Sequence, residues 1–128
     1  MRKIFLWVAA FFIVLLSSCK KEEDLLQVTI SGYWSGIGID NTSTAVPVSF
    51  VYYSNGRGRA YFNSADTLAA IKGDATYSIG TDSIRTTVTI GSSVTQLAAK
   101  LNNISTQMTG TFRRTTINYG GTYTVTKQ

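Results

Sequence analysis

Histidine is absent from this chain, cysteine occurs once, at Cys19, and proline once, at Pro47. Each shortage removes a class of chemistry. From Leu25 onward there is neither histidine nor cysteine, so Ser–His and Cys–His nucleophile pairs cannot form there. Zinc sites built from His and Cys are excluded for the same reason. A single cysteine leaves no partner for an internal disulfide, and the fold must hold by core packing. Glutamate is confined to Glu22 and Glu23, and the acids beyond the tether are Asp40, Asp66, Asp74 and Asp82. Each falls in a predicted turn, where aspartate commonly caps backbone amides. A glycosidase needs two carboxylates about 5–10 Å apart, and an enzyme reading would revive only if Asp66 and Asp74 faced each other in a cleft. No enzyme, cofactor or metal is expected.

Against those four acids stand Arg57, Arg59, Lys72, Arg85, Lys100, Arg113, Arg114 and Lys127. The excess is mild and does not indicate a nucleic-acid partner. Asn55-Gly56-Arg57-Gly58-Arg59 is no phosphate loop, because no helix bearing Lys-Ser/Thr follows it.

What is present begins with an address. Arg2 and Lys3 precede an apolar run from Ile4 to Leu16, and Ser17-Ser18 lead into Cys19. A charged start, a short apolar core and small residues before a cut are the layout of a secretory signal. Thirteen apolar residues fall short of the roughly 20 that span a bilayer. Leu16-Ser17-Ser18-Cys19 resembles the lipobox of bacterial lipoproteins. That resemblance implies cleavage before Cys19 and acylation of its thiol and amino group. Two or three acyl chains, at about 0.8 kcal/mol per buried CH₂, anchor stably where one does not.

Five charged residues follow: Lys20, Lys21, Glu22, Glu23 and Asp24. Charge runs are commonly solvated tethers. A lysine followed by acids just after the lipidated cysteine also resembles the surface-export signal of some Gram-negative lipoproteins. The implied location is the outer membrane, lipid-anchored, at the cell surface. The chain thus divides into a signal peptide (1–18), a lipidated cysteine with its tether (19–31), and a domain (32–128).

From Leu25 on there are 104 residues, enough for one self-supporting domain. Threonine, valine, isoleucine and tyrosine favour strands. Ile84, Thr86, Val88 and Ile90 alternate with Arg85, Thr87 and Thr89. Ala75, Tyr77 and Ile79 alternate with Thr76 and Ser78, and Tyr123 and Val125 with threonines. Period two means one face buried and one wet. Turn signals punctuate these runs, and Asn55-Gly56 is the strongest, suited to a type I′ hairpin. Eight strands are predicted: about 33–40, 46–54, 58–63, 68–79, 83–90, 94–101, 106–113 and 120–127. Short connections argue an all-β antiparallel meander, and eight strands can close into a barrel with no free edge. Two segments stay open. Ser93-Val94-Thr95-Gln96 looks like a capping box, with strand preferred, and Asp66 to Ile71 can form one helical turn.

Gly32-Tyr33-Trp34 opens the first predicted strand, and a Gly-x-Trp there resembles the signature of lipocalin-like (calycin) proteins. The Met108–Phe112 and Gly121–Lys127 segments are similar to the last two strands of small lipocalin-like lipoproteins. The resemblance implies a closed barrel whose Trp34 plugs one end. Trp34 is the domain's only tryptophan, so the several tryptophans of the related avidin biotin site have no counterparts.

The remaining candidates concern binding. Arg57, Arg59, Arg113 and Arg114 lie at predicted strand ends or turns and can gather at one rim as an anion patch; the plain alternative is scattered, solvated arginines. Tyr52, Tyr53, Tyr61, Phe62 and Tyr77 form an aromatic group in adjoining strands. Inward they fill the core, and outward they would offer a contact patch for glycan or protein. Asp66-Thr67-Leu68 and Asp82-Ser83-Ile84 resemble the acceptor of a bacterial O-glycosylation system, which makes Thr67 and Ser83 candidates. The expected function is a monomeric, non-catalytic binding module taking a small apolar or amphipathic ligand in the barrel mouth. The alternative is a filled barrel acting through its loops on envelope partners. Small inward residues such as Gly36, Gly38, Ala60, Ala75 and Ala99 would favour the hollow one.

Overall fold

The computed structural model describes residues 30–81, 83–102 and 104–128; Cys19, the tether 20–24 and Asp82 lie outside the described residues. The fold is an eight-stranded antiparallel barrel: β1 (Gly32–Asp40), β2 (Ala45–Tyr52), β3 (Arg57–Phe62), β4 (Ile71–Ile79), β5 (Ser83–Ile90), β6 (Ser93–Leu101), β7 (Gln107–Arg114) and β8 (Tyr119–Lys127). Each strand pairs with its neighbour in sequence, and β8 pairs back onto β1 from Lys127↔Trp34 to Gly121↔Asp40. No edge is left to recruit another chain.

Alternation builds this wall. Val48, Phe50 and Tyr52 of β2, Ala75 and Tyr77 of β4, and Ile84, Thr86 and Val88 of β5 are all buried. Between them Asp74, Thr76, Arg85, Thr87 and Thr89 face water. An apolar interior and a polar exterior invert the pattern of bilayer-spanning barrels. Closing so small a barrel bends the strands sharply, and glycine permits it. A Cβ on Gly110 would fall 2.1 Å from the Ala98 carbonyl oxygen, and one on Gly121 1.9 Å from that of Ile39.

The two ends differ. Where the chain enters and leaves, Trp34 is fully buried and its Nε1 donates to the Ile30 carbonyl at 2.7 Å. Lys127 lies over its ring, Nζ 5.8 Å from the centroid. Tyr52, Tyr77 and Met108 fill the space above, with the Tyr52 and Tyr77 rings edge to face at 5.0 Å. The opposite end, formed by the β1–β2, β3–β4, β5–β6 and β7–β8 connections, is the mouth.

Several local expectations shift. The strand expected from residue 68 starts at Ile71, because Asp66 closes one helical turn first: its carbonyl accepts from Ala69 and Ala70 at 3.2 and 3.0 Å. The capping-box segment is strand, since both β5 and β7 offer it a ladder and Thr95, Leu97 and Ala99 alternate inward. Asn55-Gly56 does not make a type I′ turn. Only Gly56 has positive φ (78°), and Tyr53 N–H donates to the Arg57 carbonyl at 2.8 Å. This is the three-residue loop with a left-handed final residue, further tied by Asn55 Oδ1 accepting from Arg57 N–H at 3.1 Å. Asp74, expected in a turn, sits mid-strand on the outer wall of β4.

A candidate binding cavity at the barrel mouth

The five small residues, Gly36, Gly38, Ala60, Ala75 and Ala99, all occupy inward register positions. They do not hollow the whole barrel, because the large aromatic side chains occupy the closed half. In the mouth half a cavity of about 230 Å³ remains. Phe50, Leu97 and Tyr123 form its floor. Val48, Phe62 and Phe112 line its sides, and Val46, Asn63, Ile71, Ile90, Arg114 and Tyr119 its rim. The floor is held by aromatic packing: Phe50 sits 5.6 Å from Tyr123 and 6.2 Å, edge to face, from Phe62.

One cation belongs to this lining. Along β7, Met108, Gly110, Phe112 and Arg114 are the less exposed set, alternating with exposed Gln107, Thr109, Thr111 and Arg113. Arg114 lies opposite Thr95 of β6 and Tyr119 of β8. Its guanidinium carbon is 5.5 Å from the centre of the Tyr119 ring, a cation–π contact. Its Nε is shut from solvent and has no hydrogen-bond partner among the described residues.

Asp40 stands nearby on β1 and is otherwise engaged. Its Oδ1 accepts from the Thr42 hydroxyl at 2.6 Å and from Thr42 and Thr44 N–H at 2.9 Å each. The Thr42 hydroxyl leads the effects that hold this carboxyl below its ordinary pKa. Oδ2 accepts a long hydrogen bond, 3.4 Å, from the Tyr119 hydroxyl. Burial first, and then the charge of Asp40, push the Tyr119 phenol up. Tyr119 thus stands between anion and cation, fixing both at the rim.

The four arginines do not share a rim. β3 and β7 run in the same direction, so Arg57, at the start of β3, is at the closed end, whereas Arg113 and Arg114 end β7 at the mouth. Arg59 points outward and pairs with Asp74 at 3.7 Å. Arg113 points outward as well, leaving Arg114 alone inside. The aromatic group also divides. Tyr52 and Tyr77 are buried, Tyr53 is 48% exposed, and Tyr61 and Phe62 are half-buried. The Tyr77 hydroxyl donates to the Tyr53 carbonyl, tying the β2–β3 loop to β4. Thr67 is half-buried in the β3–β4 loop, and Ser83 is the half-buried first residue of β5. Asp66 caps that loop through Oδ1, accepting from Leu68 N–H at 2.9 Å.

No protein-family model matches this chain, and no curated protein sequence matches it. Among solved structures, a redesigned β-barrel is similar, with a TM-score of 0.67, covering 80% of this chain and 94% of that one at 15% identity. The chain is a closed β-barrel. Likeness at that identity speaks to the fold alone, and function has to be argued from the barrel's own residues. That Arg114 shares a face with Phe112 and Met108 was within reach of the sequence, by counting in twos, though not which way that face turns. The Asp40–Tyr119–Arg114 chain was not, since its members are far apart in sequence.

Proposed function

We propose that the mature protein is a lipid-anchored barrel at the outer-membrane surface that holds a small apolar or amphipathic molecule and catalyses no reaction. The observation that carries the binding function is the mouth cavity. It is concave, lined mainly by aliphatic and aromatic side chains, and set with a few polar groups at its rim, as small-molecule sites generally are. Its volume of about 230 Å³ suits a compact ligand. The anchor rests on the signal-like N-terminus ending at Cys19, and the surface location on Lys20–Asp24 behind it. An envelope protein acting through its loops is the second reading, favoured by Leu68, 84% exposed in the β3–β4 loop.

Native mass spectrometry of the protein purified gently from its own host separates the two. The binding function predicts a stoichiometric extra mass that is lost in Val46→Phe, which narrows the mouth. A bare mass, with thermal stability unchanged across a panel of small amphipaths, would sink it.

A further inference from the structure

Arg114 gives the cavity a sign. We infer that the molecule held there carries an anionic head group, a carboxylate or its equivalent, on a short apolar body, with the head against the Arg114 guanidinium. This rests on the cavity being a ligand site and adds the chemical class.

Three observations carry it. First, Arg114 is the only charged residue lining the cavity among the described residues, and the rest of the wall is chiefly aliphatic and aromatic. A guanidinium beside so apolar a surface gives an anion a partner in a setting where charge-assisted hydrogen bonds are strong. Second, Arg114 is not consumed by the protein. No carboxylate of the described residues pairs with it; the ion pair present is Arg59–Asp74, on the outer wall. Its Nε has no acceptor among the described residues, so no hydrogen bond there ties the guanidinium to the protein. Third, the guanidinium is held in place beforehand. The Tyr119 ring supports it at 5.5 Å, and the Tyr119 hydroxyl is in turn held by Asp40. A pre-positioned fork loses little freedom on binding. The neighbouring carboxylate of Asp40 keeps its charge but lies outside the cavity lining, its Oδ1 turned to Thr42 and Thr44 rather than to Arg114.

Size limits the body. At roughly 30 Å³ per water-sized group, a cavity of about 230 Å³ takes about eight non-hydrogen atoms. The eight-carbon chain of a medium-chain carboxylate fits with its head group at the Arg114 rim, and a long-chain lipid would have to leave most of its chain outside.

The test uses octanoate, 1-octanol and octylamine, three molecules of one chain length and different head groups. Each is titrated into the mature chain made without its lipid and followed by NMR shifts of the Leu97 and Ile90 methyl groups. The expected order is octanoate tightest, about tenfold over octanol, with octylamine weakest. Arg114→Met should abolish the preference for octanoate over octanol, whereas Arg113→Gln, one residue away on the outer wall, should keep it. Octanol binding as tightly as octanoate would overturn the anionic head while leaving the cavity's binding function intact. Loss of the preference in Arg113→Gln would overturn it too, by assigning the effect to general surface charge. Failure of all three to shift any cavity methyl would overturn both readings. Octyl sulfate, run alongside, shows whether the site takes a carboxylate alone or any single anionic head.

Discussion

Tyr52 of β2 and Thr86 of β5 meet hydroxyl to hydroxyl at 3.0 Å in the buried interior, joining two strands that are not neighbours in the wall. Both side chains are almost fully buried. The contact crosses the barrel, so it reports on closure rather than on any one ladder. Tyr52→Phe should strand the Thr86 hydroxyl and cost about 1–2 kcal/mol in urea unfolding. Thr86→Val should cost less than that once Tyr52→Phe is already in place. A cost that is simply additive would mean the two hydroxyls do not depend on each other.

Alkali should open the barrel through its buried phenols. Burial, more than any neighbour, pushes Tyr52 up to about 12 and raises Tyr123 as well. A folded pKa above the unfolded value means the native state holds its proton longer. The stabilisation is therefore complete below the ordinary tyrosine pKa of 10.0 and is lost as pH rises from there through about 12. Tyrosinate absorbance from these two residues should appear together with the loss of the far-ultraviolet strand signal. Their ionisation with the strand signal intact would contradict the assignment.

Gly110→Ala should be far more costly than an average wall substitution. The added methyl would meet the Ala98 carbonyl oxygen and Ala99 Cα at 2.1 and 2.7 Å, both backbone atoms that cannot rotate away. A loss of about 2 kcal/mol or more is expected, seen as a melting temperature lower by roughly 10 °C.

Asp74→Asn should do almost nothing. The Arg59–Asp74 pair is 3.7 Å apart with side chains 50% and 88% exposed, and exposed pairs of this kind contribute about 0–1 kcal/mol. Urea midpoints of wild type and variant should agree within error at moderate salt.

Cys19→Ser should release the protein from the envelope. Metabolic labelling with an alkyne palmitate analogue is expected to tag the wild type and not the variant, and fractionation should move the variant to the soluble pool. Labelling that persists in the variant would place the lipid elsewhere.

The strands could be read from the chain because alternation is local. Ile84 to Ile90 and Ala75 to Ile79 each state their own periodicity, and the hairpins between them are too short to permit any connection but an antiparallel one. The eight-strand count and the meander order follow from such segments alone. Turns were less legible. Asn55-Gly56 carries a hairpin signal, yet the loop's type was set by Asn55 capping Arg57 and by Tyr77 binding Tyr53 from another strand.

By itself, then, the sequence determined an all-β chain of eight strands, without histidine or any cysteine in its barrel, behind a signal-like N-terminus. Tertiary structure alone decided which arginine faces in. Arg113 and Arg114 are adjacent and chemically identical, and alternation says only that they part ways. Closure of β8 onto β1 makes one face of every strand an interior, and that sends Arg114 to the cavity and Arg113 to water. The meander order itself separates Arg57 from Arg114, since one starts and the other ends strands that run in the same direction.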